Sequence, residues 1–436
     1  MHIGVVGGTG YVGIVMSCLA NFGFNVTLVG RNEKKISSIN DGISPIYEKG
    51  LDDVLRKAVD AGKLSATSDY ALLNDSEIIF IAVGTPSKGD GSIDLSSIED
   101  ASRKIGELLK ASDGYRVIVV KSTVLPTTTE KTIIPILQSC SGKKAGRDFG
   151  VCVNPEFLRE GCAVEDFLKP DKILIGSIDD RSYNALEQLY GNFDKSIPRI
   201  RTDLSTAEMI KYAQNAALAS RVSFINEVAN ICEAYGIDVK EVESAIGTDD
   251  RIGNKFMRAG AGFGGNCLPK DLDAMITASE SMGIDPVLLR GVKSVNERQP
   301  LKLVDIAEAS VGSVDGKDVA VLGTAFKPGT DDIRNASSIR VINELLSRGA
   351  FVRTYDPRAI ENTRMVFGDR ISYANSIGGC VDGADLCILV TEWDEFKELE
   401  NIHINCPVID GRRLLDPESI KSKGLQYAGI GWKNKV

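Results

Sequence analysis

Short apolar runs alternate with helix-length amphipathic segments over the first 200 residues of the chain. The runs are IGVVG, NVTLVG, EIIFIAVG, YRVIVVKST, FGVCVNPE and KILIGS. Continuous runs rich in Val and Ile, separated by amphipathic segments, are typical of strands buried on both faces of a parallel sheet. The pattern therefore predicts an α/β domain over residues 1–200.

The strand signal disappears from residue 201 to about residue 312. Apolar residues recur there at helical spacing, at Ile210, Ala213, Ala217, Phe224, Val228 and Ile231. Asp203 or Ser205 can cap the start of this segment and Gly236 can end it. We expect one helix of roughly 30 residues, followed by further helical segments to about residue 310.

The alternating pattern restarts at residue 313. Strands are predicted at Val319–Gly323, Phe351–Tyr355, Leu386–Thr391 and Pro407–Asp410. The chain is thus predicted to be an α/β protein with two Rossmann-like, doubly wound domains, 1–200 and 313–436, joined through a helical middle domain, 201–312. The turn after the first strand of the second sheet, Gly323-Thr324-Ala325, lacks a full glycine fingerprint.

Composition limits the possible partners and chemistry. With 51 basic and 60 acidic residues the formal charge is -9, which argues against nucleic acid or a membrane surface as partner. No leader peptide or membrane-spanning run is indicated, so a cytoplasmic protein is expected. The cysteines form no CxxC pair and no metal site is expected. His2 and His403 are the only histidines, so acid–base chemistry must rest on Lys, Asp, Glu, Cys or water.

The first strand is followed by VVGGTGYVG, in which Gly8, Gly10 and Gly13 have the spacing G-x-G-x-x-G. Such glycines allow a tight turn, close approach of a pyrophosphate and close helix–sheet packing. The helix that follows presents free N–H groups and the positive end of its dipole to the anion. The motif predicts a dinucleotide site, and the alternative is a glycine-rich turn without a ligand.

The second strand ends in TLVGRNEKK, where dinucleotide-binding folds place an acidic residue on the ribose. Here Gly30 removes that carboxylate, and Arg31, with Asn32 and Lys35, supplies donors suited to a 2′-phosphate. The segment therefore predicts NADP in preference to NAD. The alternative is an NAD enzyme that holds the ribose by backbone alone and leaves Arg31 in solvent.

Further motifs follow other strands, at the edge where ligands bind in such sheets. They are AVGTP (82–86), KSTVLP with Thr123, and NPEFLREG with Glu156 and Glu160. On the long helix, Lys211 and Asn215 lie one turn apart, so they can jointly stabilise an oxyanion. The alternatives are turn caps for AVGTP and KSTVLP and surface ion pairs for Glu156 and Glu160. For Lys211 the alternative is an ion pair with Glu208 on a solvent-exposed helix face.

The most specific stretch is AGAGFGGNCLPKDLDA, residues 259–274. Its glycines allow a ligand to lie against bare backbone. Cys267 precedes Pro269, which suits the first turn of a helix, and Lys270 and Asp271 follow. A cysteine at a helix N-terminus beside a lysine is in an environment that favours the thiolate, so we expect a nucleophile. The alternative is a structural cysteine.

Taken in order, ten segments of the chain resemble the nucleotide-sugar dehydrogenases, which include the UDP-glucose and GDP-mannose dehydrogenases. They are GTGYVG, VGTPSKGDGSIDL, KSTVLP, NPEFLREG, AEMIKYAQN, DDRIG, GFGGNCLPKD, AFKPGTDDIRNAS, YDP and TEWDEF. The resemblance implies a four-electron oxidation of a sugar primary alcohol to a carboxylate, with two nicotinamide cofactors used in turn. Cys267 would attack the aldehyde to give a thiohemiacetal, then a thioester that water hydrolyses.

The resemblance also implies roles for individual residues. Lys211 and Asn215 would hold the alkoxide, while Asp271, Glu156 and Thr123 would order water and manage protons. The cofactor would contact Gly8, Gly10, Tyr11, Val12, Gly13, Gly30, Arg31, Asn32, Lys35, Gly84, Thr85, Pro86, Thr123, Glu160, Lys270 and Arg334. The UDP-sugar would contact Phe157, Leu158, Arg159, Glu160, Lys211, Asn215, Phe256, Met257, Arg258, Ala259, Gly260, Gly264 and Lys327.

By the same resemblance, Arg251 would reach the sugar site of a partner subunit, so a homodimer through the central helical region is expected. UDP-glucose is the favoured substrate, because DDRIG and TEWDEF resemble that branch, although CSGKKAGRDFG and VGTPSKGDG resemble the GDP-mannose branch. The alternatives are GDP-mannose oxidation and a non-catalytic regulator that binds a nucleotide sugar.

Overall fold

A computed structural model describes residues 1–433, which divide into two compact units. The first unit comprises Met1–Gln214 and Asp273–Ala278, and the second comprises the rest of the described chain. Each unit contains one β-sheet. The strands of the first are β1 (His2–Val6), β2 (Asn25–Val29), β3 (Leu64–Thr67), β4 (Ile78–Ile81), β5 (Val117–Val120), β6 (Gly150–Val153), β7 (Ile173–Ser177) and β8 (Arg199–Thr202). Those of the second are β9 (Asp318–Leu322), β10 (Phe351–Tyr355), β11 (Ser372–Tyr373), β12 (Leu386–Leu389), β13 (Val408–Asp410) and β14 (Tyr427–Gly429).

Helices alternate with the strands and fill the middle of the chain. In order they are α1 (Tyr11–Val15), α2 (Glu33–Asn40), α3 (Leu51–Asp60), α4 (Ser96–Lys110), α5 (Ile134–Ser141), α6 (Ala163–Leu168), α7 (Asp180–Leu189), α8 (Leu204–Tyr235), α9 (Val239–Gly247), α10 (Cys267–Ser281), α11 (Val287–Val311), α12 (Ser337–Ser347), α13 (Ile360–Phe367), α14 (Ile377–Val381) and α15 (Pro417–Lys421). A 3₁₀ helix, Met16–Phe22, continues α1.

The first sheet has the strand order β3-β2-β1-β4-β5-β6-β7-β8. Its first six strands have the order of a dinucleotide-binding doubly wound sheet. Buried Val, Ile and Leu from the central strands pack under helices on both faces. The six strands predicted from apolar runs are all present. The pattern missed β3 and β8, since LSAT and RIRT contain polar and exposed positions at the two sheet edges.

One detail of the first sheet differs from the prediction of an all-parallel sheet. Strand β7 pairs antiparallel with β6, and β8 then runs parallel to β7. The residues between β6 and β7 form the segment 154–162 and the short helix α6 rather than a long crossover helix. Strand β7 therefore starts at the edge where β6 ends, which brings Lys172 to that edge.

The second sheet has the strand order β11-β10-β9-β12-β13-β14, and every pairing in it is parallel. All four predicted strands are present within one or two residues. Two short strands, β11 and β14, were missed because SY and YAG contain no run of aliphatic residues of the kind that predicts a buried strand. The two Rossmann-like sheets, joined in sequence by the long helix α8, confirm the predicted fold class.

Helix α8 spans 32 residues and matches the predicted long helix closely. Asp203 caps it, because its carboxylate accepts the backbone N–H of Thr206 at 2.8 Å. Ser205, the other candidate cap, instead donates to Glu130. Gly236 ends the helix with a φ of 67°, a conformation that favours glycine.

The buried face of α8 is not the apolar stripe identified in the sequence. Small or polar residues dominate the buried positions, among them Ala207, Asn215, Ala219, Asn226 and Ala229. Phe224 and Ile231 of the predicted stripe are 54% and 53% exposed. The helix therefore carries apolar residues on two faces, and periodicity alone could not tell which face meets the core.

Candidate functional site

The glycine-rich turn lies at the carboxyl end of β1. A side chain at Gly8 would put its Cβ 2.5 Å from Leu28, and one at Gly13 would put it 2.3 Å from the Gly7 carbonyl oxygen. Gly10 is exposed, and its Cβ would meet only the Gly7 oxygen, at 3.2 Å. Gly10 is also the N-cap of α1, and no side chain caps that helix. Bare backbone at a helix start fits a dinucleotide pyrophosphate.

The end of β2 differs from the simple interpretation of TLVGRNEKK. Gly30 is buried, and a Cβ there would lie 2.3 Å from the Thr9 methyl group, so Thr9 fills the space that the missing side chain leaves. Arg31 is exposed and pairs with Asp100 at 2.7 Å. The Asn32 side chain caps α2 by accepting the backbone N–H of Lys35. Arg31 therefore keeps its charged group at the surface, next to the position where the fold places the ribose.

The loops after β4 and β5 are joined at the same sheet edge. Thr85 is buried, and its hydroxyl donates to the Thr123 carbonyl oxygen at 2.8 Å. The Ser122 hydroxyl donates to the Val83 carbonyl oxygen at 2.6 Å. Gly84 and Pro86 are exposed beside them. The sequence motifs AVGTP and KSTVLP thus form one continuous surface.

A buried polar network follows the ends of β5 and β6. Lys211 of α8 pairs with Glu156 at 3.0 Å, and both side chains are almost fully buried. Glu208 was the alternative partner for Lys211 in a surface ion pair, but it instead accepts the backbone N–H of Thr129. Lys121 donates to the Asn154 amide oxygen at 2.8 Å, and Tyr190 donates to the same oxygen. Two lysines therefore lie near one carboxylate in a place from which water is excluded.

This crowding perturbs the ionisable groups. Burial lowers the pKa of Lys121 to about 8, with Glu156 acting to raise the pKa and Lys211 to lower it further. Burial acts to raise the pKa of Glu156, but Lys211, the Leu158 N–H and Lys121 outweigh that effect and leave the pKa lowered. Glu156 is accordingly an ionised carboxylate that offsets two ammonium charges.

The segment Phe157–Glu160 leaves this network toward the surface. Lys172 lies 4.1 Å and Lys211 5.4 Å from the centroid of the Phe157 ring, which places two cations beside one aromatic ring. The backbone N–H of Leu158 donates to Glu156 at 2.6 Å. Arg159 points outward and forms a bidentate ion pair with Asp166. Glu160 lies near enough to Tyr11 for its charge to raise the pKa of that phenol.

The second unit holds the predicted nucleophile. Cys267 is exposed and is the first residue of α10. One turn later Asp271 is buried, and its two oxygens accept hydrogen bonds from the Asn215 amide and from the Lys270 ammonium, both at 2.6 Å. Asp271 therefore fixes the side chains of two other predicted site residues.

The loop before Cys267 lies against the segment AFKPGTDDIRNAS. The Gly265 N–H donates to the Arg334 carbonyl oxygen at 2.8 Å, and the Asn335 amide donates to the Gly265 oxygen at 3.1 Å. A Cβ on Gly264 would lie 2.4 Å from the Asn335 oxygen, so only glycine fits. Arg334 itself pairs with Asp332, and the Lys327 ammonium lies 5.6 Å from the centroid of the Phe326 ring.

The predicted sugar-binding segment Phe256–Gly260 is held by helices of the second unit. The Gly260 N–H donates to Asn226 of α8 at 2.8 Å, and the Ala259 N–H donates to Glu243 of α9. Met257 and Ala259 are buried, whereas Phe256 and Arg258 are exposed. Arg251, expected to act on a partner subunit, has a side chain that is 89% exposed and pairs with Asp249.

Sequence reasoning missed several residues of these clusters. Lys121 and Asn154 begin the quoted motifs KSTVLP and NPEFLREG but were given no role. Lys172 and Tyr190 carried no local signal, because long-range folding alone brings them to the site. The signal that existed was position: Lys121 and Asn154 immediately follow β5 and β6, where ligands of such sheets bind.

Two absences concern the described residues alone. Among residues 1–433, no group of three or more His, Cys, Asp or Glu side chains is placed to hold a metal ion. Within the same part of the chain, no helix combines the length and the apolar character needed to cross a bilayer.

A glycine-rich turn at the edge of a doubly wound sheet, together with an exposed cysteine at a helix start, defines the class of protein. The class is that of nicotinamide-dependent oxidoreductases. The chain belongs to the UDP-glucose/GDP-mannose dehydrogenase family. Residues 1–194 match the NAD binding domain of that family, 205–298 its central domain and 320–417 its UDP binding domain.

Relatives with a curated name match almost the whole chain. UDP-glucose 6-dehydrogenase AglM of Haloferax volcanii is 43% identical over 99% of this chain and 100% of its own length. UDP-glucose 6-dehydrogenase TuaD of Bacillus subtilis is 42% identical over 97% of this chain and 92% of its own. The structure of a UDP-glucose dehydrogenase from Pyrobaculum islandicum matches with a TM-score of 0.92 and 37% identity, covering 99% of this chain and 98% of the other.

Proposed function

We propose that this chain oxidises UDP-glucose to UDP-glucuronate in two steps. The observation that carries the proposal is an exposed Cys267 at the start of α10, one turn from the buried Asp271, in a chain about 40% identical to UDP-glucose 6-dehydrogenases over its full length. The nicotinamide cofactor, when bound at the glycine-rich turn, accepts one hydride in each oxidation. The domain division 1–200, 201–312 and 313–436 belongs to the same proposal.

In the first oxidation the sugar C6 hydroxyl gives its proton to bound water as a hydride leaves C6 for the nicotinamide. The Lys211 ammonium stabilises the developing alkoxide, and the Glu156 carboxylate fixes the ammonium at 3.0 Å. One hydrogen of the Asn215 amide NH₂ group is donated to Asp271, and the other hydrogen is donated to the alkoxide. Thr123 lies at the cofactor edge and helps to order water there.

In the second oxidation the Cys267 thiol adds to the aldehyde carbon and gives a thiohemiacetal. Loss of a hydride from that carbon leaves a thioester, and water then cleaves the C–S bond and restores the thiol. Asp271 holds Lys270 and Asn215 in place and accepts a proton during the hydrolysis. Because two hydrides leave per sugar, two reduced cofactors form for each carboxylate.

Cys267→Ser tests this assignment. We expect the rate of UDP-glucuronate formation to fall by roughly a thousandfold or more, while UDP-glucose still binds. Product should be followed by chromatography beside cofactor reduction at 340 nm, with Cys162→Ser as a control at another exposed cysteine. Full activity in Cys267→Ser would refute the covalent mechanism.

Substrate choice is tested by comparing three nucleotide sugars in parallel assays. GDP-mannose dehydrogenase of Pseudomonas aeruginosa and a UDP-D-ManNAc dehydrogenase of Pyrococcus horikoshii are also similar, at 34% and 29% identity. Equal amounts of UDP-glucose, GDP-mannose and UDP-ManNAc should be supplied separately, and UDP-glucose is expected to give the highest kcat/KM. Binding without turnover of any of them would instead indicate a regulator.

We propose NADP as the preferred cofactor, with Arg31 binding the 2′-phosphate. Arg31 is 70% exposed and follows the strand end where the fold places the ribose. Arg31→Ala should lower kcat/KM for NADP by about tenfold and leave that for NAD unchanged. Arg103→Ala is the matched control, since it removes an exposed arginine that pairs with Glu99, and it should leave both values unchanged.

We also propose a homodimer through the helical region. Phe224, Ile231 and Tyr235 form an exposed apolar stripe on α8, with Tyr235 77% exposed. Arg251 would enter the partner's sugar site. Sedimentation should give a dimer for the wild type and a monomer for Phe224→Lys with Ile231→Lys, whereas Lys240→Glu, an exposed change on α9, should stay dimeric.

A further inference from the structure

A buried carboxylate outside all the predicted sites connects two of them. Glu48 lies in the loop between α2 and α3 and is 5% exposed. Its Oε2 accepts the backbone N–H of Gly161 at 2.8 Å and the hydroxyl of Tyr11, and its Oε1 accepts the N–H of Ala163 at 2.9 Å. One side chain therefore receives three hydrogen bonds from two distant parts of the first unit.

The two parts are the ones that the proposed reaction needs. Tyr11 is the first residue of α1 and directly follows Gly10 of the cofactor turn. Gly161 directly follows the proposed sugar segment Phe157–Glu160, and Ala163 is the first residue of α6. No side chain at the N-cap position of α6 caps that helix, so Glu48 performs this function from elsewhere in the chain.

The chemistry of the contact requires an ionised carboxylate. All three partners are donors, and an amide at position 48 would present an NH₂ group to at least one of them. Burial and the hydrogen bond to Glu48 raise the pKa of Tyr11 well above its ordinary value, so the phenol stays a donor. The Tyr11 hydroxyl also accepts the Gly161 N–H at 3.3 Å, which closes a three-membered network.

We propose that Glu48 is a positioning residue that couples cofactor binding to nucleotide-sugar binding; the sugar half of this statement rests on the proposed function. A pyrophosphate that orders the start of α1 also orders Tyr11. Through Glu48, Tyr11 then orders the backbone at Gly161 and Ala163, and with it the end of the sugar segment. Coupling of this kind is reciprocal, so the sugar also tightens cofactor binding.

The test is a set of binding titrations on the full-length protein. UDP-glucose is titrated with and without saturating NADPH, a pair that cannot react because both partners are reduced. In the wild type we expect NADPH to tighten UDP-glucose by about fivefold or more. In Glu48→Gln and in Tyr11→Phe this ratio should fall toward one, and the double variant should lose no more than either single variant.

Asp52→Asn is the matched control. Asp52 accepts the Ser44 N–H at 2.7 Å and so supports the same loop without touching Tyr11 or Gly161. This variant should keep the wild-type ratio. Tyr11→Phe preserves both backbone contacts of Glu48, so it serves even if Glu48→Gln folds poorly.

Hydrogen exchange separates this inference from the proposed substrate. NADPH alone should slow exchange of the amides of residues 157–168 in the wild type and not in the two variants. If that protection appears while UDP-glucose fails to bind the wild type, the substrate is wrong and the linkage stands. An unchanged coupling ratio and unchanged protection in well-folded Glu48→Gln and Tyr11→Phe would overturn the proposal.

Discussion

The turn after the first strand has the same backbone geometry in both sheets, but the polar groups around it differ. After β1, Gly7 has a φ of 88° and donates to the Val29 carbonyl oxygen; after β9, Gly323 has a φ of 90° and donates to the Tyr355 oxygen. The next residue after Val29 is Gly30, and the next after Tyr355 is Asp356. The carboxylate that is missing at the end of β2 is thus present at the end of β10.

Asp356 uses that carboxylate inside its own domain. It is 2% exposed and accepts the N–H groups of Thr324 and Ala325 at 2.7 and 3.0 Å, those of Arg358 and Ala359 at 2.8 Å, and the indole N–H of Trp393 at 3.1 Å. The second turn is therefore satisfied by a residue of the chain, whereas the first presents bare glycine backbone. The carboxylate at the end of β10 thus contacts the turn after β9, whereas Gly30 leaves the turn after β1 without one.

Asp356→Asn should give the largest effect. An amide cannot accept five N–H donors, so we expect a loss of at least about 3 kcal/mol in the free energy of unfolding of the second unit. Both tryptophans, Trp393 and Trp432, lie in that unit, so urea denaturation followed by tryptophan fluorescence reports the change. The NADPH dissociation constant should stay within twofold of wild type. A parallel loss of NADPH affinity would remove the distinction between the two turns.

Gly10→Ala should give the opposite result. Its Cβ would meet only the Gly7 oxygen, at 3.2 Å, so the fold tolerates it, but the methyl group stands where a pyrophosphate approaches the backbone. We expect the NADPH dissociation constant to rise about a hundredfold, or ~2.7 kcal/mol, with the unfolding midpoint unchanged. Gly191→Ala, at a position with nothing within 4 Å, is the control. Unchanged NADPH affinity would place the pyrophosphate elsewhere.

The sequence predicted the parts of this comparison that depend on local pattern. Ten of the fourteen described strands, α8 and the turn Gly8–Gly13 all follow from apolar runs or glycine spacing. Other features depend on tertiary contacts and did not follow from a local pattern. They are the short strands such as β11, the antiparallel direction of β7 and the buried face of α8. Thr9 filling the space at Gly30, and Asp356 folding onto Thr324, could not be predicted either, because each is a contact between residues more than 20 positions apart.

The candidate sites were predicted unevenly for the same reason. Cys267, Lys211 and Glu156 stand in motifs and were named, and their chemical roles stay predictions. Lys121 and Glu48 were missed because their functions depend on partners such as Asn154 and Gly161, which lie far away in sequence. A buried residue whose partners come from distant segments leaves no local pattern.

The two sheet edges also differ in charge, which predicts a pH effect. Asp356 is satisfied by neutral donors, whereas burial lowers the pKa of Lys121 to about 8 from an ordinary value of 10.5. Between these values the unfolded chain binds more protons, so stability rises with pH. We expect wild type to gain about 2 kcal/mol between pH 7 and 9.5 relative to Lys121→Met, by urea denaturation and circular dichroism.

Lys110→Met, at an exposed lysine at the end of α4, should follow wild type over the same pH range. A constant difference between wild type and Lys121→Met at every pH would mean that Lys121 is not held in a site that disfavours its charge. In that case Glu156 would fully offset the cost of burying the Lys121 charge, just as the five N–H donors satisfy the buried Asp356 carboxylate.

The smallest effect concerns the position after Gly30. Asp100 pairs with Arg31 at 2.7 Å and with Lys104 at 3.3 Å, and these exposed pairs are each worth less than about 1 kcal/mol. If Arg31 binds a 2′-phosphate, Asp100 competes with that phosphate. Asp100→Asn should then raise kcat/KM for NADP by about threefold and leave that for NAD unchanged.

Glu99→Gln is the matched control on the same helix, because Glu99 pairs with Arg103 and not with Arg31. It removes the same amount of negative charge near the site, so a general electrostatic effect would raise NADP use in both variants. An effect confined to Asp100→Asn would show that the weak ion pair with Asp100 competes with the cofactor phosphate for Arg31. Asp356, at the end of β10, accepts five N–H groups within its own unit, whereas Asp100 holds Arg31 by one exposed ion pair.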